Sequence, residues 1–288
     1  MMVEVLVHFV APALVGVLIG IASGLLGIGG GTVMVPIFRL AFGMSATMST
    51  ATSLFAIIPT SISGAISHVK GKTCIPALGI AAGLGGACLS PVGVWLAQLS
   101  PDWLVMLAAA LIIGYSAINM FKKAFKLRPA GQPATGVDAA AAASLTSSGD
   151  AAAAAPTADD SSLSRKQLLQ GVAIGLVAGL ASGYVGVGGG FIMVPLMLSI
   201  IGIPMRKASG TSLIAVMILA IPGVIEQGII GNINYLAGIA IVIGTIPGAV
   251  IGARLVTKVP ERTLRLLFGC FLIVAAVMLV LNEVGIFG

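Results

Sequence analysis

The sequence predicts an all-α polytopic membrane protein made of two inverted-topology repeats of about five helical segments each, with glycine-broken helical hairpins. Three observations predict it. Apolar residues make up 58% of the 288 and charged residues only 8%, with a mean hydropathy of +1.13; a soluble body needs roughly 25% charged residues to cover its surface. Runs of about 20 apolar residues, the length that spans a bilayer, recur along the chain. A 23-residue block also occurs twice: GVLIGIASGLLGIGGGTVMVPIF at 16–38 and GLVAGLASGYVGVGGGFIMVPLM at 175–197, identical at 12 of 23 positions at an offset of 159.

The first element is the apolar run Val5–Leu26. No Lys or Arg precedes it and no small-residue cleavage site follows, so a membrane segment is expected rather than a signal peptide. Gly27-Ile28-Gly29-Gly30-Gly31 then interrupts the helix, because glycine holds helical backbone poorly, and Thr32–Phe42 is about half a span. Spans follow at 46–68, 74–98 and 102–125. The second half repeats the plan: a break at Gly186-Val187-Gly188-Gly189-Gly190, then spans at 208–229, 234–256 and 263–282. Gly43 matches Gly202, Thr52-Ser53-Leu54 matches Thr211-Ser212-Leu213, Gly64 matches Gly223, and after a one-residue slip near 224–243 Pro101 matches Pro260. The chain divides into an N-terminal transmembrane repeat at 1–127, a flexible cytoplasmic linker at 128–164 rich in Ala, Ser, Gly, Thr, Pro and Asp, and a C-terminal repeat at 165–288. Whether the short pieces cross fully is left open by their length.

Basic residues set the orientation. Lys122, Lys123, Lys126, Arg128, Arg165 and Lys166 flank the linker and place it in the cytoplasm. Counting outward, the connectors carrying Lys70 and Lys72, Arg206 and Lys207, and Lys258 and Arg262 all fall inside only if equivalent loops of the two repeats face opposite compartments. The repeats are therefore expected to be inverted, with both termini outside. The net charge of +6 arises from these connectors and implies no nucleic acid. Cys74, Cys88 and Cys270 have no metal-ligand spacing, and neither metal nor cofactor is expected. No HExxH, GxSxG or clustered His/Asp set lies in the spans, so no catalytic residue or enzyme activity is predicted.

Broken helices at equivalent positions of two inverted repeats point to a transport site. Exposed peptide N–H groups and the positive end of a helix dipole suit an anion, and glycine lets it approach. The expected substrate-binding set is Ser23, Gly29, Gly30, Gly31, Thr52 and Ser53 with Ser182, Gly188, Gly189, Gly190, Thr211 and Ser212. Gly16, Gly20 and Gly24, like Gly171, Gly175, Gly179 and Gly183, recur every fourth residue as helix-packing positions. Arg39, His68 and Glu226 are candidates for anion attraction or proton coupling; Arg254 is expected to reach for the inner surface.

With the GxGGG–MVP block twice and Thr-Ser-Leu twice, the chain resembles the sulfite exporter TauE/SafE family over both repeats, the linker excepted. The resemblance implies a secondary transporter of the bacterial inner membrane that moves sulfite, sulfoacetate or other sulfonates, and it places Gly29–Gly31, Gly188–Gly190 and the Thr-Ser pairs around the anion. Export is favoured over import by the membrane potential. An anion channel, or a proton-coupled importer of another small anion such as a carboxylate, stays open, as does a homodimer. The expected partners are a small anionic substrate and membrane lipid.

Overall fold

A computed structural model describes residues 11–126 and 164–283, and every element among them is helical. In chain order these are α1 (Ala11–Leu26), α2 (Gly31–Phe42), α3 (Ala46–Lys70), α4 (Pro76–Leu99), α5 (Asp102–Lys126), α6 (Arg165–Val185), α7 (Gly190–Leu196, continued by a π-helical turn Met197–Ile201), α8 (Met205–Ile230), α9 (Tyr235–Leu255) and α10 (Glu261–Glu283). Seven of them, α3 to α6 and α8 to α10, are long and apolar enough to cross a membrane; α1, α2 and α7 are shorter. Residues 127–163, which hold all of the expected linker but Ser164, and both chain ends, with the expectation that the termini face outside, lie outside the described residues.

Local chemistry sets the helix starts. The Ser45 and Asn234 side chains accept from the N–H groups of Met48 and Ala237, Ser164 and Gln167 form a capping box, and Pro76 opens α4. The ends of α1 and α6 are set by glycine: Gly27, Gly29 and Gly30, and likewise Gly186, Gly188 and Gly189, all have positive φ between 63° and 90°, a region that costs other residues strain.

The principal helix contacts run between the repeats. Helix α1 packs on α9 and α6 on α4; α3 and α8 pack on each other and on α9 and α4 respectively, and α5 packs on α10. Glycines make the closest of these contacts. A Cβ at Gly175 would lie 1.9 Å from the Ala82 carbonyl oxygen, and one at Gly16 2.4 Å from that of Ile241; a Cβ at Gly85 would lie 2.6 Å from the Val172 oxygen, and one at Gly244 1.8 Å from that of Ala13. Each pair of contacts is related by 159 at both partners. The offset therefore persists through 224–243, and the one-residue slip expected there does not occur: the repeat is carried by backbone approach at small residues, while the side chains between them diverge.

The same contacts give directions. Along α1 and α9, Gly16, Gly20 and Gly24 meet Ile241, Thr245 and Ala249 in ascending order, so these helices are parallel, as are α6 and α4. Helices α3 and α8 are antiparallel: Gly64 faces Leu213, and Gly223 faces Leu54. Their midsections form the core, with Leu54, Ala56, Ile57, Leu213, Ala215, Val216 and Leu219 fully buried, while Leu18, Leu111, Leu169, Ile229 and Leu236 are exposed. Such an apolar exterior matches hydrocarbon as its solvent. Trp95 and Trp103 are exposed on either side of the 99–101 connector, where amphipathic rings favour a headgroup boundary.

Candidate functional site where the glycine breaks cross

The two glycine breaks touch each other. A Cβ at Gly31 would lie 2.4 Å from the Val187 carbonyl oxygen, and one at Gly190 would lie 2.5 Å from that of Gly27 and 2.9 Å from the Ile28 Cα. Both segments are buried throughout. Ile57, from the middle of α3, lies against both: its side-chain atoms are 3.2 Å from a Cβ built at Gly29, 2.5 Å from one at Gly31 and 2.7 Å from one at Gly188. Val216, its counterpart on α8, lies 2.9 Å from a Cβ built at Gly29. Only glycine permits this packing of loop on loop.

The Thr-Ser pairs hold the crossing together. Ser53 donates to the Gly186 carbonyl at 2.5 Å, and Ser212 donates to the Gly27 carbonyl at 2.7 Å. The Thr52 hydroxyl accepts from the Asn234 N–H at 3.0 Å, and that of Thr211 from the Ile75 N–H at 2.9 Å. Each pair thus caps the opposite repeat twice, at its glycine break and at the start of its fourth helix. A hydroxyl has one proton to give, so in this arrangement Ser53 and Ser212 spend theirs on the protein.

Other donors have no protein partner. Ser23 and Ser182 are fully buried, and neither hydroxyl has a hydrogen-bond partner. The Ser23 Cβ lies 3.7 Å from a Cβ built at Gly30, and that of Ser182 lies 3.4 Å from one at Gly189. Among the described residues, the N–H groups of Gly29, Gly30, Gly31 and Thr32, the segment where α2 begins, donate to no protein acceptor. Buried donors left unpaired are costly, and a cluster of them fits an acceptor-rich solute. No carboxylate is among the atoms nearest a Cβ built at any glycine of either break.

The remaining candidates are dispersed. His68 is fully buried near the end of α3; its Nε2 donates to the Gly24 carbonyl at 2.8 Å, and its Nδ1 lies 2.7 Å from the Thr73 hydroxyl. It ties α1 to the α3–α4 turn, and Gln227 with Asn232 occupies the equivalent place in the second repeat. Glu226 is half-buried on α8, with Oε2 unpartnered. Arg39 is half-buried in the last turn of α2.

Two features escape a reading of the sequence. A cleft of about 530 Å³ opens at the end of the α3–α9 seam, lined by Ser63, Ser67, Lys70, Arg254 and Thr257 among others. Arg254 thus joins Lys70 at a shared cleft, and neither has a carboxylate partner among the described residues. The second feature is Lys123, which reads in sequence as a linker-flanking charge. It instead donates to the Pro195 carbonyl at 3.2 Å and to the Ser199 hydroxyl, at the π-helical turn after α7. No local pattern marks it, since its partners lie more than 70 residues away.

Comparison with known proteins identifies the family of this chain. The model of the family described as Sulfite exporter TauE/SafE matches residues 12–279. The chain is 27% identical to "Probable membrane transporter protein YunE" of Bacillus subtilis, over 97% of this chain and 99% of that one. It is 29% identical to a "Probable membrane transporter protein" of Haemophilus influenzae, over 93% and 97%. A 30% identity to "Sulfite exporter TauE/SafE family protein 3" of Arabidopsis thaliana covers 36% of this chain and 23% of that protein. No solved structure matches. With seven membrane-length helices among its described residues, and the family model matching nearly its whole length, the chain belongs to the sulfite exporter TauE/SafE family of membrane transporters.

Proposed function

We propose that this transporter moves sulfite, or sulfonates such as sulfoacetate, across the bacterial inner membrane by alternating access, in the export direction. The observation that carries the reading is the buried crossing of two glycine breaks, rich in unpaired N–H and O–H donors and with no carboxylate among the atoms nearest their glycines. Oxyanions present several acceptor oxygens to such a shell, and preorganised dipoles replace their hydration without a buried countercharge.

Further features support the mechanism. The antiparallel run of α3 against its equivalent α8 supports two oppositely oriented repeats. At about 1.5 Å per residue, the 12 residues of α2 reach roughly 18 Å, well short of a hydrocarbon core of about 30 Å; this supports a re-entrant piece ending near the midplane. Ile57 covers both breaks from α3, so movement of α3 against the broken hairpins would uncover the donors. The cationic cleft gives anions a favourable approach at the end of the protein assigned to the cytoplasm. The printed name of the Arabidopsis relative supports the substrate class.

A membrane potential of about 100 mV, negative inside, is worth roughly 2.3 kcal/mol per charge. At about 1.4 kcal/mol per decade this drives a monoanion outward against a gradient of roughly 40-fold. Proteoliposomes loaded with sulfite or sulfoacetate test the reading: saturable counterflow is expected, with efflux faster when the potential is inside-negative. Uptake accelerated by the same potential would refute electrogenic export, and flux without saturation or counterflow would indicate a channel.

A further inference from the structure

The two breaks are not chemically equivalent, although Gly27, Gly29 and Gly30 and their equivalents Gly186, Gly188 and Gly189 all have positive φ. Beside Gly29, the hydroxyl oxygen of Ser61 lies 3.4 Å from a Cβ built there. Ser61 is fully buried in α3 and has no hydrogen-bond partner. A serine in an apolar helix normally bonds back to the preceding turn, as Thr60 does to the Ala56 carbonyl at 2.7 Å; Ser61 does not. Its equivalent in the second repeat is Ala220, also fully buried. The fold thus tolerates a methyl group at this position, and the hydroxyl of Ser61 meets no architectural need visible in its counterpart.

Three other differences run the same way. Thr32, fully buried with its hydroxyl unpartnered, stands where the second repeat has Phe191. Thr60 stands where the second repeat has Leu219, whose side chain lies 3.3 Å from a Cβ built at Gly189. The Gly190 N–H closes on the Gly188 carbonyl at 2.7 Å, whereas the Gly31 N–H has no acceptor among the described residues. Ser90 is also buried and unpartnered, but its hydroxyl lies beside Gly223, and it is not among the nearest neighbours of Gly188 or Gly189.

We propose that one oxyanion binds asymmetrically, on the N-terminal break alone, held by the N–H groups of Gly29 to Thr32 and the hydroxyls of Ser23, Ser61 and Thr32, while the C-terminal break, with Ala220 and Phe191 in place of Ser61 and Thr32, is its structural mate. The proposal rests on the anion reading above and deepens it. Ser61 and Thr32 become specificity-determining residues, because each supplies a donor that only a solute with several acceptor oxygens can use together. A monocarboxylate, with two oxygens, leaves more of the donors unpaired than sulfite or a sulfonate with three.

The test is equilibrium binding of sulfite and of sulfoacetate to the purified full chain, with thermal unfolding measured on every variant. Ser61→Ala is expected to weaken binding of both oxyanions at least tenfold, the loss typical of a hydrogen bond to a charged group, and to leave the unfolding temperature unchanged, as Ala220 implies. The loss for Ser61→Ala is expected to exceed that for Ser182→Ala at least threefold, and Ser90→Ala is expected to bind as the parent does. Equal losses from Ser61→Ala and Ser182→Ala, or unchanged affinity in Ser61→Ala, would overturn the asymmetry while leaving the anion reading intact. A parent chain that binds neither oxyanion would overturn the anion reading, and the asymmetry with it.

Discussion

Replacing Gly244 by alanine places a Cβ 1.8 Å from the Ala13 carbonyl oxygen and 2.8 Å from the Val17 nitrogen. An ordinary contact to that oxygen is about 3.4 Å, so α1 and α9 must separate locally by roughly 1.5 Å or the alanine must distort the backbone. A gap of only 0.5–1 Å already forfeits about a quarter to a half of each van der Waals well. The seam is held by this kind of contact at Gly16, Gly20, Gly24, Gly244, Gly248 and Gly252, and packing is what drives helix association in lipid. Overpacking of this size costs about 1–3 kcal/mol. Gly114 is the control: it lies on α5 with nothing within 4 Å of a built Cβ, so Gly114→Ala gains about 1 kcal/mol of helix propensity or is neutral. Unfolding of the purified protein in mixed micelles, titrated with SDS, measures both. A Gly244→Ala protein as stable as Gly114→Ala would refute the packing argument, and with it the 159-residue register deduced from these contacts.

Other perturbations separate stability from binding. Ser53→Ala and Ser212→Ala each leave a buried carbonyl without its donor, which costs about 1–3 kcal/mol; both should lower the unfolding midpoint while changing oxyanion affinity less than Ser61→Ala does. Neutralising Lys70 and Arg254 should slow substrate capture several-fold at low salt, and the difference should vanish near 1 M salt, where the screening length falls to about 3 Å; a salt-independent effect would make these residues direct ligands. Fragments 1–127 and 165–288 should copurify when co-expressed, and neither should fold alone, because α1, α3, α4 and α5 find their principal partners in the other repeat. A monodisperse single fragment would contradict this interlocking.

The fold was largely readable in the residues because its signals are local. Glycine-rich breaks, membrane-length apolar runs and the doubled block all lie within short windows, and the structure places helix ends at both breaks. What was hidden depends on contacts distant in sequence. The serines of the Thr-Ser pairs looked like free donors, yet their protons go to carbonyls 133 and 185 residues away. An isolated Ser61 in an apolar helix looks like any back-bonding serine, and only the structure shows its buried hydroxyl unpartnered beside Gly29. Arg254 and Lys70 are 184 positions apart and meet at one cleft only because α9 runs along α3. The false slip near 224–243 arose because residue identity fades there while glycine-to-backbone contacts keep the register.

Selenite, a heavier analogue of sulfite, puts the central claim to its most direct test. An anomalous difference map at the selenium edge, from crystals grown with selenite, should show one peak within hydrogen-bonding reach of the Gly29 to Thr32 N–H groups and the Ser61 hydroxyl. A peak seated only in the Lys70–Arg254 cleft, or none at the glycine crossing in protein shown to transport the anion, would contradict the account.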